Sequence, residues 1–327
     1  MIPFLALLLI GSPYHTVAVD GSVEEYTADE WVLTDPPDDS YWGSNNELYG
    51  LYLTWDRDYL YVAVDYVVQN NAVLLLIGNG VEGVRNINNL DWYPRNFQFT
   101  GPRMSHILAL WNGDLNTGGA RKILDSQHTQ PIGNAELANS GYSGQRGIFE
   151  AGIPWSEIYP DGVPAGATLH LVGLIAGGDH ASGGESMPDN ALLGFGGTGL
   201  INTYLKVVVD QNQDGVPDSG RSLAEVTEVV TYEHRPLKFR QLLLNQKVFH
   251  PGDEVRLTLE ITESADVLVE IFNDQGKRVY AQRYPDVPGQ EVQTLTWTQP
   301  DWNTGIYILQ VLLNGVVRDR RTFAVVR

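Results

Sequence analysis

The sequence predicts an all-β protein made of two antiparallel β-sandwich domains. Three observations point there. Short runs of β-branched and aromatic residues recur between turns rich in Gly, Asn and Asp. Helical periodicity is nearly absent. Charge also changes along the chain. Residues 237–327 carry 11 basic and 11 acidic side chains, whereas residues 1–236 carry 10 and 29, so the whole net charge of −19 lies in the first part. At 327 residues the chain is long enough for two cores.

The first ten residues, Met1-Ile2-Pro3-Phe4-Leu5-Ala6-Leu7-Leu8-Leu9-Ile10, form an apolar run too short to span a bilayer. It fits the core of a signal peptide over residues 1–18, with Thr16 and Ala18 as the small residues of a cleavage site. A buried first strand is the other reading. Secretion through such a peptide would make the protein extracellular or displayed at the cell surface. No other segment of the sequence is suited to cross a membrane as a helix.

Strands are expected next over 51–55 and 59–64, joined by the polar turn Asp56-Arg57-Asp58. Residues 72–77 are a continuous apolar run, which marks a strand buried on both faces. Further strands are expected over 105–111, 149–153, 168–176 and 205–209. Between them, Pro154–Tyr159 predicts one short helical turn, because proline suits a first helical position. Many short strands with Gly-rich turns indicate a sandwich over residues 19–210. Residues 210–236 are expected to form a loop and linker, with a linking strand over 222–232.

The second sandwich is expected over 237–327. Val255-Arg256-Leu257-Thr258-Leu259-Glu260-Ile261 alternates strictly, which puts Val255, Leu257, Leu259 and Ile261 on one buried face. Strands over 267–272 and 277–284 flank the turn Asn273-Asp274-Gln275-Gly276, and 293–297 and 306–313 follow. Asn314-Gly315 is the preferred pair for a two-residue hairpin, returning the chain into 322–326.

Composition narrows the partners. The acidic surface of the first part repels nucleic acid and anionic lipid. It is compatible with cations and with neutral ligands such as sugars. The absence of cysteine excludes disulfides, a thiol nucleophile and thiolate metal sites.

Three stretches carry candidate sites. In Asp210-Gln211-Asn212-Gln213-Asp214-Gly215-Val216-Pro217-Asp218, side-chain oxygens recur at alternate positions and Gly215 permits a sharp turn. Asp210, Asn212, Asp214 and Asp218, with the Val216 carbonyl, form a donor set for calcium. Arg221 stands where an EF-hand has its glutamate, so the loop looks more like a thrombospondin type 3 loop; a solvated acidic turn is the alternative. The second stretch is the polar loop 177–190, whose Asp179, His180, Glu185 and Asp189 are candidates to line a ligand or a second cation. A surface loop is the other reading.

The third stretch is Asn88–Phe97, in which Asn89, Asp91, Trp92 and Arg95 combine an aromatic ring with amide, acid and guanidinium groups. Sugar sites need this mixture, because flat rings stack on C–H faces while polar groups bond hydroxyls. Trp111 repeats the theme, and Trp42 stands in a Gly/Asn-rich loop where it is a further candidate. The alternative for Trp92 and Trp111 is the core. Trp31, Trp55 and Trp155 read as core residues, Trp297 and Trp302 as structural residues of the second domain. His106 and His170 sit within apolar runs and read as buried, hydrogen-bonded side chains. The sequence contains no Gly-x-Ser-x-Gly, P-loop or His-Glu-x-x-His motif.

Residues 19–210 resemble the extracellular DOMON-like sandwiches, which include family 9 carbohydrate-binding modules and the C-terminal binding domain of glucodextranase. The resemblance rests on Val19-Asp20-Gly21-Ser22, Trp31, the stretch from Asp38 to Leu48, the runs 51–56 and 60–64, and Phe149-Glu150-Ala151-Gly152-Ile153-Pro154-Trp155. It implies a binding module; related sandwiches bind sugars or haem. The second part is similar to the Ig-like domain of flagellar hook-capping proteins and to type IX secretion sorting domains. Here the residues are Phe249–Val255, Val269–Val279, Gly305-Ile306-Tyr307 and the basic end at Arg327. A sorting domain implies dealings with a secretion machinery and attachment at the cell surface. His250-Pro251 stands where those domains carry Asn-Pro, which leaves a plain Ig-like role open as well.

The expected function is therefore a non-catalytic, secreted or surface-displayed binding protein. Its partner is a polysaccharide or a cell-surface glycan, and calcium stabilises its loop. An adhesive surface protein without a small ligand and a polysaccharide hydrolase are the alternatives.

Overall fold

The computed structural model describes residues 15–178, 183–191, 193, 198–219, 222–234, 237–298 and 302–327. The described chain is almost entirely β-structure, with two four-residue helical turns, Trp155–Ile158 and Leu223–Val226. It divides into two compact units, Met1–Glu233 and His234–Arg327.

The first unit is a sandwich with an extra layer. One sheet has five strands in the order Trp31–Thr34, Glu47–Trp55, Tyr59–Val67, Gly147–Pro154 and Glu136–Asn139. The facing sheet runs Thr227–Thr231, Thr203–Val208, Thr168–Ala176, Ala72–Gly78, His106–Trp111, Asp114–Ile123 and Thr129–Pro131, with Glu185–Met187 also paired to Thr168–Ala176. The period of two along Ala72–Gly78 shows why that run carries no polar residue. Val73, Leu75 and Ile77 enter the core between the two large sheets, with Leu51, Leu53, Phe149 and Leu171. Ala72, Leu74 and Leu76 enter a second core, with Phe97, Phe99, Ile87 and Tyr204. Phe97, Phe99 and Ile87 come from a small sheet of Gly199–Ile201, Asn96–Phe99 and Asn86–Asn88, laid over the outer face.

The far face of the five-stranded sheet is covered by the N-terminal segment. Val17 is buried with Tyr26, Tyr61 and Ala63. Thr16 Oγ1 donates to Asp56 at 2.7 Å, and the Ala18 amide donates to Glu25 at 2.6 Å. Cleavage after Ala18 would remove these contacts. Residues 1–14 lie outside the described residues.

Of the stretch 210–236, expected as loop and linker with a strand over 222–232, residues 210–233 fall within the first unit and contain the strand Thr227–Thr231. Leu223 and Val226 lie on one side of a single helical turn and are buried in the main core. Thr227–Thr231 then pairs antiparallel with Thr203–Val208. The apolar spacing within 223–226 commits this stretch to the sandwich.

The second unit is a smaller antiparallel sandwich. Phe239–Leu244, Glu254–Ile261 and Val292–Thr298 form one sheet; Val248–Phe249, Val316–Val325, Gly305–Leu313, Ala265–Phe272 and Arg278–Val287 form the other. Val255, Leu257, Leu259 and Ile261 all enter its core, as the alternation predicts. Asn314 and Gly315 both take positive φ, 49° and 77°, the conformation that a tight hairpin requires. Trp297 is buried and stacks on Tyr280, while Trp302 stacks on Tyr307.

Candidate functional site

Two recesses of the first unit gather chemistry-bearing side chains. The first is aromatic. Strands Asn86–Asn88 and Asn96–Phe99 form a hairpin whose connection, residues 89–95, is turned by positive φ at Asn89 (56°) and Tyr93 (55°). Leu90 anchors this loop in the second core. Trp92 and Tyr93 meet edge to face, with ring centroids 4.6 Å apart. A Cβ on Gly119 would lie 3.1 Å from the Trp92 ring, so glycine there lets the indole settle against strand Asp114–Ile123. The Arg121 guanidinium stands 5.1 Å from the Trp92 ring centroid, a cation–π distance. Tyr93 Oη donates to the Thr117 carbonyl at 3.1 Å, and Thr117 Oγ1 accepts the Trp111 amide at 2.9 Å.

Trp92, Tyr93, Pro94, Arg95, Trp111 and Thr117 thus line one open recess of about 350 Å³, with Gly178 also in its lining. Both tryptophans are partly exposed and both pack against the second core. Trp92, Arg95 and Trp111, picked from two separated stretches of sequence, are brought together. Asn89, Asp91 and Trp42 are not. Asp91 Oδ1 accepts both the amide (3.1 Å) and the hydroxyl (2.7 Å) of Thr129, tying down the start of an edge strand. The Asn89 amide bonds Asn96 Oδ1 and the Arg95 carbonyl across the hairpin. Trp42 packs on the main core and lies over Gly184, where a Cβ would come within 2.3 Å of its ring.

The second recess is acidic. Its volume is about 550 Å³, and its lining includes Asp39, Tyr41, Glu185, Asp189, Asn190 and Thr203. Glu47, at the start of strand Glu47–Trp55, accepts the Asp38 amide at 3.2 Å and the Ser40 amide at 3.3 Å, which folds the 35–46 loop back over it. Glu185 stands opposite Ile175 in the register of the facing sheet, and its Oε2 accepts the Leu48 amide at 2.8 Å. Asn190 fixes the wall: its Nδ2 donates to the Pro188 and Thr203 carbonyls and its Oδ1 accepts the Asn202 and Thr203 amides. No basic side chain lines this recess among the described residues.

Burial pushes the Glu185 carboxyl well above the usual carboxylate range, and the adjacent Asp35 and Glu47 push it the same way. Burial also raises Asp35, Glu47 and Asp189, with carboxylate neighbours contributing in each case. Glu185 and Asp189 were candidates from sequence. Asp35, Asp39 and Glu47 were not, although Asp35-Pro36-Pro37-Asp38-Asp39 is a visibly acidic, non-helical stretch. Asp179 and His180 lie outside the described residues.

The Asp210 loop is attached to the end of strand Thr203–Val208 within the first unit. Asp210 and Asp218 are buried while Asn212 and Asp214 are exposed, and the side-chain oxygens of all four bond backbone amides, mostly the loop's own. Asp210 is fully buried and accepts from Gly166 (3.1 Å), Asp214 (3.2 Å) and Gly215 (2.9 Å). Asn212 Oδ1 accepts the Asp214 amide, Asp214 Oδ1 the Val216 amide, and Asp218 Oδ2 the Gln211 amide. Trp55 Nε1 donates to the Asp218 carbonyl at 2.8 Å, which holds the loop to the core.

His106 and His170 are buried, as expected. His106 lies between Ser105 Oγ and the Glu157 carbonyl, and His170 bonds Tyr232 Oη at 3.0 Å. Trp55 and Trp155 are core residues, but Trp31 is 44% exposed and stacks on Tyr52, because its strand is the edge of the sheet.

No family model matches the chain, and no curated protein matches it. Among solved structures, the chain is similar to an alkylpurine DNA glycosylase of Pseudomonas fluorescens bound to DNA containing an abasic-site analogue. That match has 19% identity and a TM-score of 0.22, and covers 28% of this chain and 30% of that one. It is also similar to a β-glucuronidase of Faecalibacterium prausnitzii, at 12% identity and a TM-score of 0.21, over 83% of this chain and 37% of that one. At these scores neither likeness bears on function.

Proposed function

We propose that this chain is a non-catalytic binding protein, secreted or held at the cell surface, whose first unit recognises carbohydrate at the Trp92–Trp111 recess. One observation carries the reading. Two tryptophans and a tyrosine from separate segments are held part-exposed around one recess, on a sandwich whose cores have taken in other large aromatics such as Trp55 and Phe97. Part-exposed indoles of this kind stack on the C–H faces of sugar rings, while the buried Arg95, whose Nη1 donates to the Pro94 carbonyl at 2.9 Å, holds the recess in shape. The second unit acts in export, attachment or spacing, and the Asp210–Asp218 loop takes up calcium as a stabilising ion.

The non-catalytic reading is supported by the burial of Glu185. It is the carboxyl of the acidic recess pushed furthest up, yet it is only 6% exposed, whereas a general acid must reach the leaving oxygen of its substrate. The test is a glycan array followed by affinity electrophoresis on the polysaccharides that register. Trp92→Ala and Trp111→Ala should each weaken retention by about tenfold, since a stacked aromatic contributes on the order of 1 kcal/mol or more. Full retention in both variants, or new reducing ends on incubation with glucans or xylans, would overturn the reading. For the loop, calorimetric calcium uptake unchanged by Asp214→Ala would remove that assignment.

A further inference from the structure

We infer that the sugar taken by the Trp92–Trp111 recess is an N-acetylated hexosamine residue, recognised through its acetamido group. The inference rests on the carbohydrate reading and names the class of sugar within it.

The first observation is what the lining lacks. None of the side chains around the recess is a carboxylate, a carboxamide or an imidazole. A sugar read through free hydroxyls needs such groups, because each hydroxyl brings a donor that must find an acceptor once water is displaced. The hydroxyls that do line the recess are spent on the protein itself. Tyr93 Oη donates to the Thr117 carbonyl, while Thr117 Oγ1 accepts the Trp111 amide and donates to the Asp114 carbonyl at 2.7 Å. Arg95 is buried, and its Nη1 donates to the Pro94 carbonyl.

The second observation is what remains. Neither Trp92 Nε1 nor Trp111 Nε1 bonds another described residue, and neither is sealed from solvent. An indole nitrogen is a donor only. The recess therefore offers aromatic faces and two donors, and its side chains have few acceptors to give.

An acetamido group complements that set. Its methyl packs on one indole face, and its carbonyl accepts from an indole N–H. The C–H face of the pyranose ring that carries it takes the other aromatic surface. A plain hexose brings a hydroxyl to the same place. That hydroxyl has no methyl to bury, and its donor would be desolvated against the rings without a side-chain acceptor, which disfavours it. A free amino sugar offers neither the methyl nor the carbonyl.

The test uses full-length protein and polymers that share one backbone: chitin, chitosan and cellulose carry an acetamido, an amino and a hydroxyl group at the same carbon. Chitin should retain the protein, and the other two should not. By calorimetry, N-acetylchitotriose should bind about tenfold or more tightly than cellotriose, the expected worth of a hydrogen bond plus a buried methyl. Trp92→Phe and Trp111→Phe keep an apolar ring and remove the N–H. At least one of them should weaken N-acetylchitotriose by about fivefold and narrow its advantage over cellotriose, with the melting temperature showing that the variant is folded. Equal affinity for the two trisaccharides, or an advantage that both phenylalanine variants leave unchanged, would overturn the acetamido assignment. So would a glycan array that registers only sugars without this group. Each of these outcomes leaves the carbohydrate reading in place. An empty array with no retention on any of the polymers would remove both.

Discussion

The two units solve the same problem, an antiparallel sandwich, with different sheets. In the second unit, Glu254–Ile261 alternates buried and solvent-facing side chains, and the sheet has one working face. In the first unit, Ala72–Gly78 is buried along its whole length, because a small sheet and the 89–95 loop cover the face that would otherwise meet water. That third layer is also where Trp92 and Tyr93 sit. The unit that carries the acidic excess and both recesses is the one whose sheet needed extra cover. Loops drafted to cover a sheet are long and polar at their rims, and a rigid sheet beneath them fixes what they present.

The comparison can be broken most directly by truncation at adjacent positions. Leu74→Ala and Leu75→Ala should each destabilise the first unit by about 2–5 kcal/mol, since neighbouring residues fill separate cores. In the second unit Leu259→Ala should cost as much, while Thr258→Ala should stay within about 0.5 kcal/mol. Denaturant melts of the four variants check this; a harmless Leu74→Ala would mean that the third layer is not packed as described.

A smaller difference concerns pH. Burial lowers His106 and His170, both in the first unit, to about 4. Their folded values lie below the ordinary histidine value. Neutral burial therefore contributes stability that is present above pH 6.5, lost as pH falls toward 4, and on the order of a few kcal/mol in all. The second unit has no buried histidine among its described residues. Asp35 and Glu185 act in the opposite sense. Their raised values give stability that is present below the ordinary carboxylate range and is lost as pH rises from there through the raised values, about 7 for Asp35. Melting the protein and its Glu185→Gln variant at pH 4.5, 5.5 and 6.5 separates the two: with the Glu185 contribution removed, stability should rise more steeply with pH, and an identical slope would argue against it.

The smallest effect is expected at surface ion pairs. Arg240, 3.3 Å from Glu260 and about half exposed, should cost no more than about 1 kcal/mol on mutation to Ala. A larger loss would show that the neutral second unit depends on charge in a way that its core does not suggest.

Much of the aromatic recess was legible because its chemistry is local: Trp92 and Arg95 lie three residues apart, and Trp111 stands at the end of a recognisable strand. Asn89 and Asp91 lie in the same stretch and still miss the recess, because the hairpin turn commits one backbone and Thr129 commits the other carboxyl. The acidic recess was hidden for the opposite reason. Glu47 and Glu185 are far apart in sequence, and only the packing of the two sheets brings Glu185 to the Leu48 amide.

What the sequence determined alone was the class of structure and most strand positions, because alternation and apolar runs are the direct imprint of one or two buried faces on a chain of period two. Only the tertiary structure decided that residues 210–233 belong to the first sandwich, that Trp31 stays at an exposed edge, and which carboxylates meet. Those outcomes depend on which sheet covers which, and that is settled by contacts between residues far apart along the chain.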